Sequence, residues 1–171
     1  MPPDDAIARL AKQIDAASRS ERLVMNASAA ASLRRQGACE LHAICAELVA
    51  SVNHELADST LELSPAEYDA GMFRESGANL IQISSQGRQM QISFAAPLQV
   101  VSTEKFLIPY VLEGEVRTYN QKMLERFEIR NQLLFYCIEN EQASWRYYDW
   151  RTARTGLLDR ALLAGLMEPL F

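Results

Sequence analysis

Three residues in an alanine-rich stretch have the side chains and the spacing of metal ligands. They are Cys39, His42 and Cys45. A zinc site needs thiolate and imidazole ligands that converge on one ion as a tetrahedron. On one helix, however, these residues spread over roughly 120° of the circumference and roughly 9 Å of the length. One ion cannot reach all three, so we interpret them as ordinary helix residues and expect no metal site.

The second histidine of the chain lies in a segment that resembles part of the metalloprotease helix motif. His54 and Glu55 match the start of that motif, but Asp58 stands where its second histidine is required. A histidine–aspartate pair without a third ligand makes a poor metal site. The chain also lacks a nucleophile–base arrangement, a phosphate-binding loop and a dinucleotide fingerprint. We therefore predict no catalytic residue and no cofactor.

Aromatic and arginine side chains are densest between positions 145 and 154. In a strand, alternation places Arg146, Tyr148 and Trp150 on one face, and Arg151 and Arg154 follow. This composition is typical of protein interfaces, and it also suits single-stranded nucleic acid. Cross-strand packing with solvated arginines is the third alternative. We select these five residues as candidate ligand- or partner-binding residues, and which face of strand 144–150 is buried stays open.

Length, charge and cysteine content restrict the class of protein. The chain has 171 residues, which suits one domain. Its net charge of −5 disfavours nucleic acid and anionic membranes as partners. Three cysteines make no disulfide framework, and the amino terminus lacks the pattern of a secretory signal. We expect a cytoplasmic protein without a membrane segment.

Near position 59 the sequence changes from an alanine-rich, helical pattern to a pattern of strands and turns, which predicts an α+β fold. We expect a helical region over 1–58, a connector over 59–77, an antiparallel sheet over 78–151 and a C-terminal helix over 152–171. The strongest helical stripe is Leu41, Ile44, Leu48, Val52 and Leu56. The sheet should be a meander of five to six strands, packed against the long N-terminal helical region and the C-terminal helix.

Local patterns place most of the strands and turns. Apolar residues alternate with Gln and Ser on both sides of Gln86-Gly87, which predicts a hairpin. Pro109 marks an edge or bulged strand. Glu113-Gly114 and Asn131 read as turns. Residues 133–138 are apolar on both faces and should form a central strand.

The last predicted element is a helix over 156–168 with Thr155 as its N-cap. Its apolar residues surround most of the circumference, so more than one side must be covered. The sheet can cover one side, and a second chain can cover the other. We therefore predict an oligomer interface at Leu163, Leu166, Met167, Leu170 and Phe171.

These observations favour a non-enzymatic protein-interaction or regulatory module that forms a homodimer. Small residues at Ala27–Ala31 could add a helix–helix contact. The alternative is a small-molecule-binding protein or enzyme with a pocket between the sheet and a helix, which would take an apolar or anionic ligand. Binding of single-stranded nucleic acid is a third, weaker alternative.

Overall fold

The fold is α+β, with a seven-stranded antiparallel sheet and helices on one of its faces. A computed structural model describes residues 3–24, 27–97 and 106–171. The described helices are α1 (Pro3–Val24), α2 (Ala27–Glu55), α3 (Gln121–Glu125) and α4 (Arg160–Met167), with 3-10 turns at Ala70–Met72 and Glu168–Leu170. The strands are β1 (Glu62–Ser64), β2 (Asn79–Ser85), β3 (Arg88–Ala95), β4 (Tyr110–Tyr119), β5 (Arg130–Glu139), β6 (Gln142–Asp149) and β7 (Arg154–Leu157). Each strand pairs with the next in sequence, which confirms the predicted meander. The sheet has seven strands where five to six were predicted, because β1 and β7 extend it beyond the predicted range of 78–151.

The β2–β3 hairpin forms where the alternation predicts it. Gln86 and Gly87 connect its strands with positive φ angles, which the right-handed twist of a hairpin favours. One face of the hairpin is buried and consists of Ile81, Ile83, Met90, Ile92 and Phe94. We call the face of the sheet that carries these residues the inner face, and the opposite face the outer face.

Two predicted turns are wrong, because β4 and β5 are each continuous. Gly114 lies inside β4, opposite Phe94 and Leu134, and a Cβ there would lie 2.9 Å from the Ser93 carbonyl oxygen. The glycine therefore permits a close approach of two strands. Asn131 lies inside β5, where it pairs with Arg117. The ladders of neighbouring strands hold both residues extended.

Pro109 immediately precedes β4, and the register of β4 against β5 shifts between Tyr110 and Leu112. The Pro109 carbonyl still accepts a hydrogen bond from the Ile138 amide at 2.9 Å. The strand therefore begins after the residue that lacks a ladder donor, as its chemistry requires.

Helix α2 spans the inner face as one continuous helix of 29 residues. Gly37 lies inside this helix. A Cβ added to Gly37 would lie only 2.5 Å from the ring of Tyr136, so the absence of a side chain lets the ring pack against the helix. The Trp145 indole donates a hydrogen bond to the Gly37 carbonyl oxygen at 2.7 Å. The buried residues of the helix include Ala38, Leu41, Cys45, Leu48 and Val49, whereas Leu56 lies beyond the helix end.

Helix α4 begins at Arg160, four residues later than predicted. The Asp159 carboxylate caps it by accepting from the Leu162 amide at 2.8 Å. The predicted cap, Thr155, lies in β7 and donates to the Tyr147 carbonyl. Because residues 154–157 form a strand, fewer apolar side chains belong to the helix, which buries Leu163 and Met167.

The central strand β5 is apolar on both faces, as predicted. Its inner side contributes Leu134 and Tyr136 to the main core under α2 and α4. Its outer side contributes Phe135 and Cys137 to a smaller cluster, completed by Phe106, Tyr110 and Tyr148. We call this set the outer cluster.

Among the described residues, no helix combines the length and the apolar content needed to cross a membrane.

Candidate functional site

The five candidate binding residues of the 145–154 segment do not form one surface. Tyr148 is buried in the outer cluster, and Arg146 pairs with Glu139 at 2.9 Å. Trp150 lies in the β6–β7 turn, where 56% of it is exposed and the Arg151 guanidinium lies 5.2 Å from its ring centroid. Arg154 is exposed at the start of β7. Both faces of β6 are therefore used for packing, and within residues 145–154 the exposed aromatic residue is Trp150 in the turn.

The five candidate interface residues lie at the end of the chain. Leu163, Met167 and Leu170 are buried in the main core. Leu166 is half-buried at a small cavity of 60 Å³ between α4 and strands β4 and β5. Phe171 is exposed beside the Arg88 guanidinium, 4.8 Å from its ring centroid. The inner face and α2 together cover α4, so the apolar content of this helix no longer requires a second chain.

Cys39, His42 and Cys45, the residues with metal-ligand spacing, differ in burial and in neighbours and are not grouped around one point. Cys45 is buried, and burial raises the pKa of its thiol to about 12. His42 is buried beside Tyr68, and its Nε2 lies 2.7 Å from the Pro65 carbonyl oxygen. Cys39 is half-buried, and burial is the main reason that its pKa is raised. These thiols are protonated at neutral pH, which does not suit nucleophilic or ligand chemistry.

The other histidine is also remote from any ligand set. His54 is exposed and lies 3.1 Å from the Glu55 carboxylate. Within the part of the chain that the structure describes, no three His, Cys, Asp or Glu side chains are grouped so that they could hold an ion.

Helix α1 carries an exposed apolar stripe that was not among the predicted sites. The stripe consists of Ile7, Leu10 and Ile14, which are 66%, 55% and 54% exposed. We call these three residues the α1 stripe. Every residue from 5 to 17 is exposed. The spacing of three and four residues is the sequence signal of such a stripe.

A concavity of 630 Å³ lies on the outer face, over β2 to β5. We call it the outer concavity. Its apolar lining is Leu80, Ala95, Tyr110, Leu133 and Phe135, and its polar lining includes Gln91, Ser93, Glu113, Glu115 and Arg117. The Gln/Ser face of the hairpin contributes to it. The concavity lies on the side of the sheet opposite the helices, whereas the predicted pocket was between the sheet and a helix.

The carboxylates of the outer concavity differ in their partners. Glu115 accepts a hydrogen bond from Asn131 at 2.7 Å and pairs with Arg117 at 3.0 Å. Glu113 is exposed and makes no ion pair with the residues that the structure describes. Burial is the main reason that the pKa of the Tyr110 phenol is raised, and the charge of Glu113 and a hydrogen bond to its carboxylate act in the same direction. The concavity therefore contains one uncompensated negative charge.

A second exposed apolar surface lies at the tip of the β4–β5 connection. Phe127 is 94% exposed, and Leu124 and Ile129 beside it are also exposed. The φ angle of Phe127 is 55°, in the left-handed region that residues with a Cβ rarely adopt. An exposed phenyl ring in this backbone conformation contributes little to the core.

Comparisons with known proteins do not identify a family. No protein-family model, no curated protein and no solved structure matches the chain. Function is therefore inferred from the α1 stripe and from the outer concavity.

Proposed function

We propose that this chain is a protein-interaction module that forms a homodimer through helix α1. The observation that carries the proposal is the exposure of residues 5–17 together with the α1 stripe. An isolated helix shorter than about 12–15 residues is marginally stable in water. Full burial of a large aliphatic side chain stabilises by about 1.5–3 kcal/mol. A partner that covers Ile7, Leu10 and Ile14 would therefore stabilise both the helix and the complex.

The spacing of the stripe favours a second copy of α1 as the partner. Positions 7, 10 and 14 occupy successive seam positions of a heptad repeat, the pattern that pairs helices side by side. Ala17 occupies the next seam position, and Ala6, Ala11 and Gln13 border the seam; none of these four carries a charge. Over residues 6–17, identical seams can meet across a two-fold axis without placing like charges together. A close helix–helix contact between two copies follows from this pattern.

The charged face of α1 argues against a membrane as the partner. Asp5, Arg9, Lys12 and Asp15 lie on the arc opposite the stripe. Two acidic and two basic residues leave this face without net charge. Helices that bind a bilayer surface usually present an excess of Lys and Arg to anionic headgroups. The balanced face suits a protein partner that contacts only the stripe.

Light scattering of the full chain tests the proposal. We expect a dimer at micromolar concentration, and we expect Leu10→Asp to give a monomer because it places a charge in the seam. Ala8→Asp is the matched control, since residue 8 lies on the charged arc and its variant should remain dimeric. A monomeric wild-type chain at high micromolar concentration would contradict the proposal. Equal dissociation of both variants, or binding to anionic vesicles in place of self-association, would also contradict it.

A further inference from the structure

We propose that the outer concavity binds a small organic cation, with its ammonium group at Glu113 and its apolar part on the side chains of β2 and β5. This site is separate from α1 and does not depend on dimer formation. The inference combines the shape of the concavity, its apolar lining and its single uncompensated charge.

The concavity is open to solvent on one side and has a volume in the range of small-molecule sites. Its volume of 630 Å³ lies within the range of roughly 300–1,000 Å³ that such sites occupy. Leu80 is 51% exposed on a hairpin face that otherwise carries Gln and Ser. Leu133 and Phe135 line the other side of the concavity. A ligand that covers Leu80 would remove apolar surface from water, which favours binding.

The charge of the site selects the class of ligand. Glu115 already pairs with Arg117 and accepts from Asn131, whereas Glu113 has only the Tyr110 hydroxyl as a neutral partner and no ion pair among the described residues. An anionic ligand would be repelled by Glu113. A neutral apolar ligand would remove water from that carboxylate without giving its charge a cationic partner, which is costly. A cation with an apolar body satisfies both parts of the site.

Two aromatic residues form the apolar floor of the concavity beside Glu113. Tyr110 and Phe135 both line the concavity, and their ring centroids are 4.5 Å apart. Phe135 lies directly opposite Glu113 in the β4–β5 ladder. Only 3% of Tyr110 and 8% of Phe135 are exposed, so they offer apolar surface to the body of a ligand, and Glu113 supplies the charge for its ammonium group. The sequence-based alternative of an anionic ligand is therefore not the one that this geometry supports.

The test compares 2-phenylethylammonium with 2-phenylethanol, which has nearly the same shape and no charge. We expect calorimetric or NMR titration to show saturable binding of the ammonium ion, about tenfold tighter than binding of the alcohol. Glu113→Gln should abolish this preference, because it keeps the shape of the side chain and removes its charge. Glu55→Gln is the matched control, since Glu55 is exposed at the end of α2, and it should bind like the wild type.

A second variant tests the apolar half of the site. Leu80→Gln should weaken binding of both probes and keep the preference for the ammonium ion, because it removes apolar contact only. Equal affinity for the two probes, unchanged affinity in Glu113→Gln, or no saturable binding at millimolar ammonium concentration would overturn the inference. None of these outcomes depends on whether the chain forms dimers, because the same titrations can be made on the Leu10→Asp variant.

Discussion

At the scale of single residues, the two glycines inside helices have opposite roles. Gly37 lies where α2 crosses the sheet, and the ring of Tyr136 occupies the space that a side chain would need. Gly165 lies in α4, and a Cβ added there would meet no atom within 4 Å. The same residue type is therefore required for packing at one position and unnecessary at the other.

This difference predicts that replacement of glycine by alanine changes the free energy of unfolding in opposite directions at the two positions. Gly37→Ala should lower the free energy of unfolding by about 1–3 kcal/mol, because the added methyl overpacks the contact with Tyr136. Gly165→Ala should raise it by about 0.5–1 kcal/mol, because alanine loses less backbone entropy in a helix. Urea denaturation of both variants measures the changes. A neutral Gly37→Ala variant would show that α2 is not held against Tyr136.

Residue chemistry also explains why the candidate binding residues of β6 were not brought together. The alternation of Arg146 and Tyr148 on one face was predictable from strand geometry. The burial of Tyr148 was not, because it depends on Phe106, whose ring centroid lies 5.4 Å from that of Tyr148. A residue 42 positions away in the chain leaves no signal in the local pattern.

At the scale of elements, the burial of helices α1 and α4 does not follow from their apolar content. The terminal helix has more apolar residues, yet its own chain covers it. The first helix has only three large apolar residues in its seam, yet residues 5–17 are exposed. Composition indicates how much apolar surface a helix has. Only its position relative to the sheet decides whether that surface is buried.

The exposure of residues 5–17 predicts that the rest of the fold does not need residues 1–17. Their removal should leave the urea midpoint unchanged when it is measured at a protein concentration low enough to give monomers, because residues 5–17 are all exposed. The same truncation should abolish dimer formation. A fall in the midpoint of the monomer would show that α1 packs against the sheet or α2, contrary to its exposure.

At the scale of the whole molecule, the sheet is asymmetric. Helices α2 and α4 cover the inner face, whereas the outer face carries the outer cluster and the outer concavity. Cysteine lies buried on both sides, as Cys45 under the inner face and Cys137 in the outer cluster. Burial raises the pKa of each thiol from 9.0 to about 12. The packing on both faces of the sheet should therefore lose stability at alkaline pH.

We expect stability to decrease as the pH rises from about 9 towards 12. The unfolded chain loses its thiol protons near pH 9 and the folded chain near pH 12, so the contribution is complete below 9 and is lost through that window. Each thiol can lower the free energy of unfolding by up to about 1.4 kcal/mol per pH unit. Tyr136, whose pKa is also raised by burial, acts in the same direction.

Urea denaturation at several pH values measures this dependence. Cys45→Ala should be less stable than the wild type at pH 7 and should show a shallower decrease above pH 9, because one titrating thiol is gone. Cys39→Ala should lose less of the slope than Cys45→Ala, because the rise in the pKa of this half-buried thiol is smaller. Identical slopes in all three proteins would contradict the assignment to Cys45.

The sequence by itself determined the α+β class, the β2–β3 hairpin, the central strand β5 and the helical character of α1, because each of these depends on periodicity over a few neighbouring residues. Only the tertiary structure decided that Gly114 and Asn131 lie inside strands, that residues 154–157 join the sheet, and that α4 is covered while α1 is not. It also placed Glu113, Leu80 and Phe135 around one concavity. These outcomes depend on contacts between strands and helices that are distant in the chain, and such contacts leave no periodic pattern in the sequence.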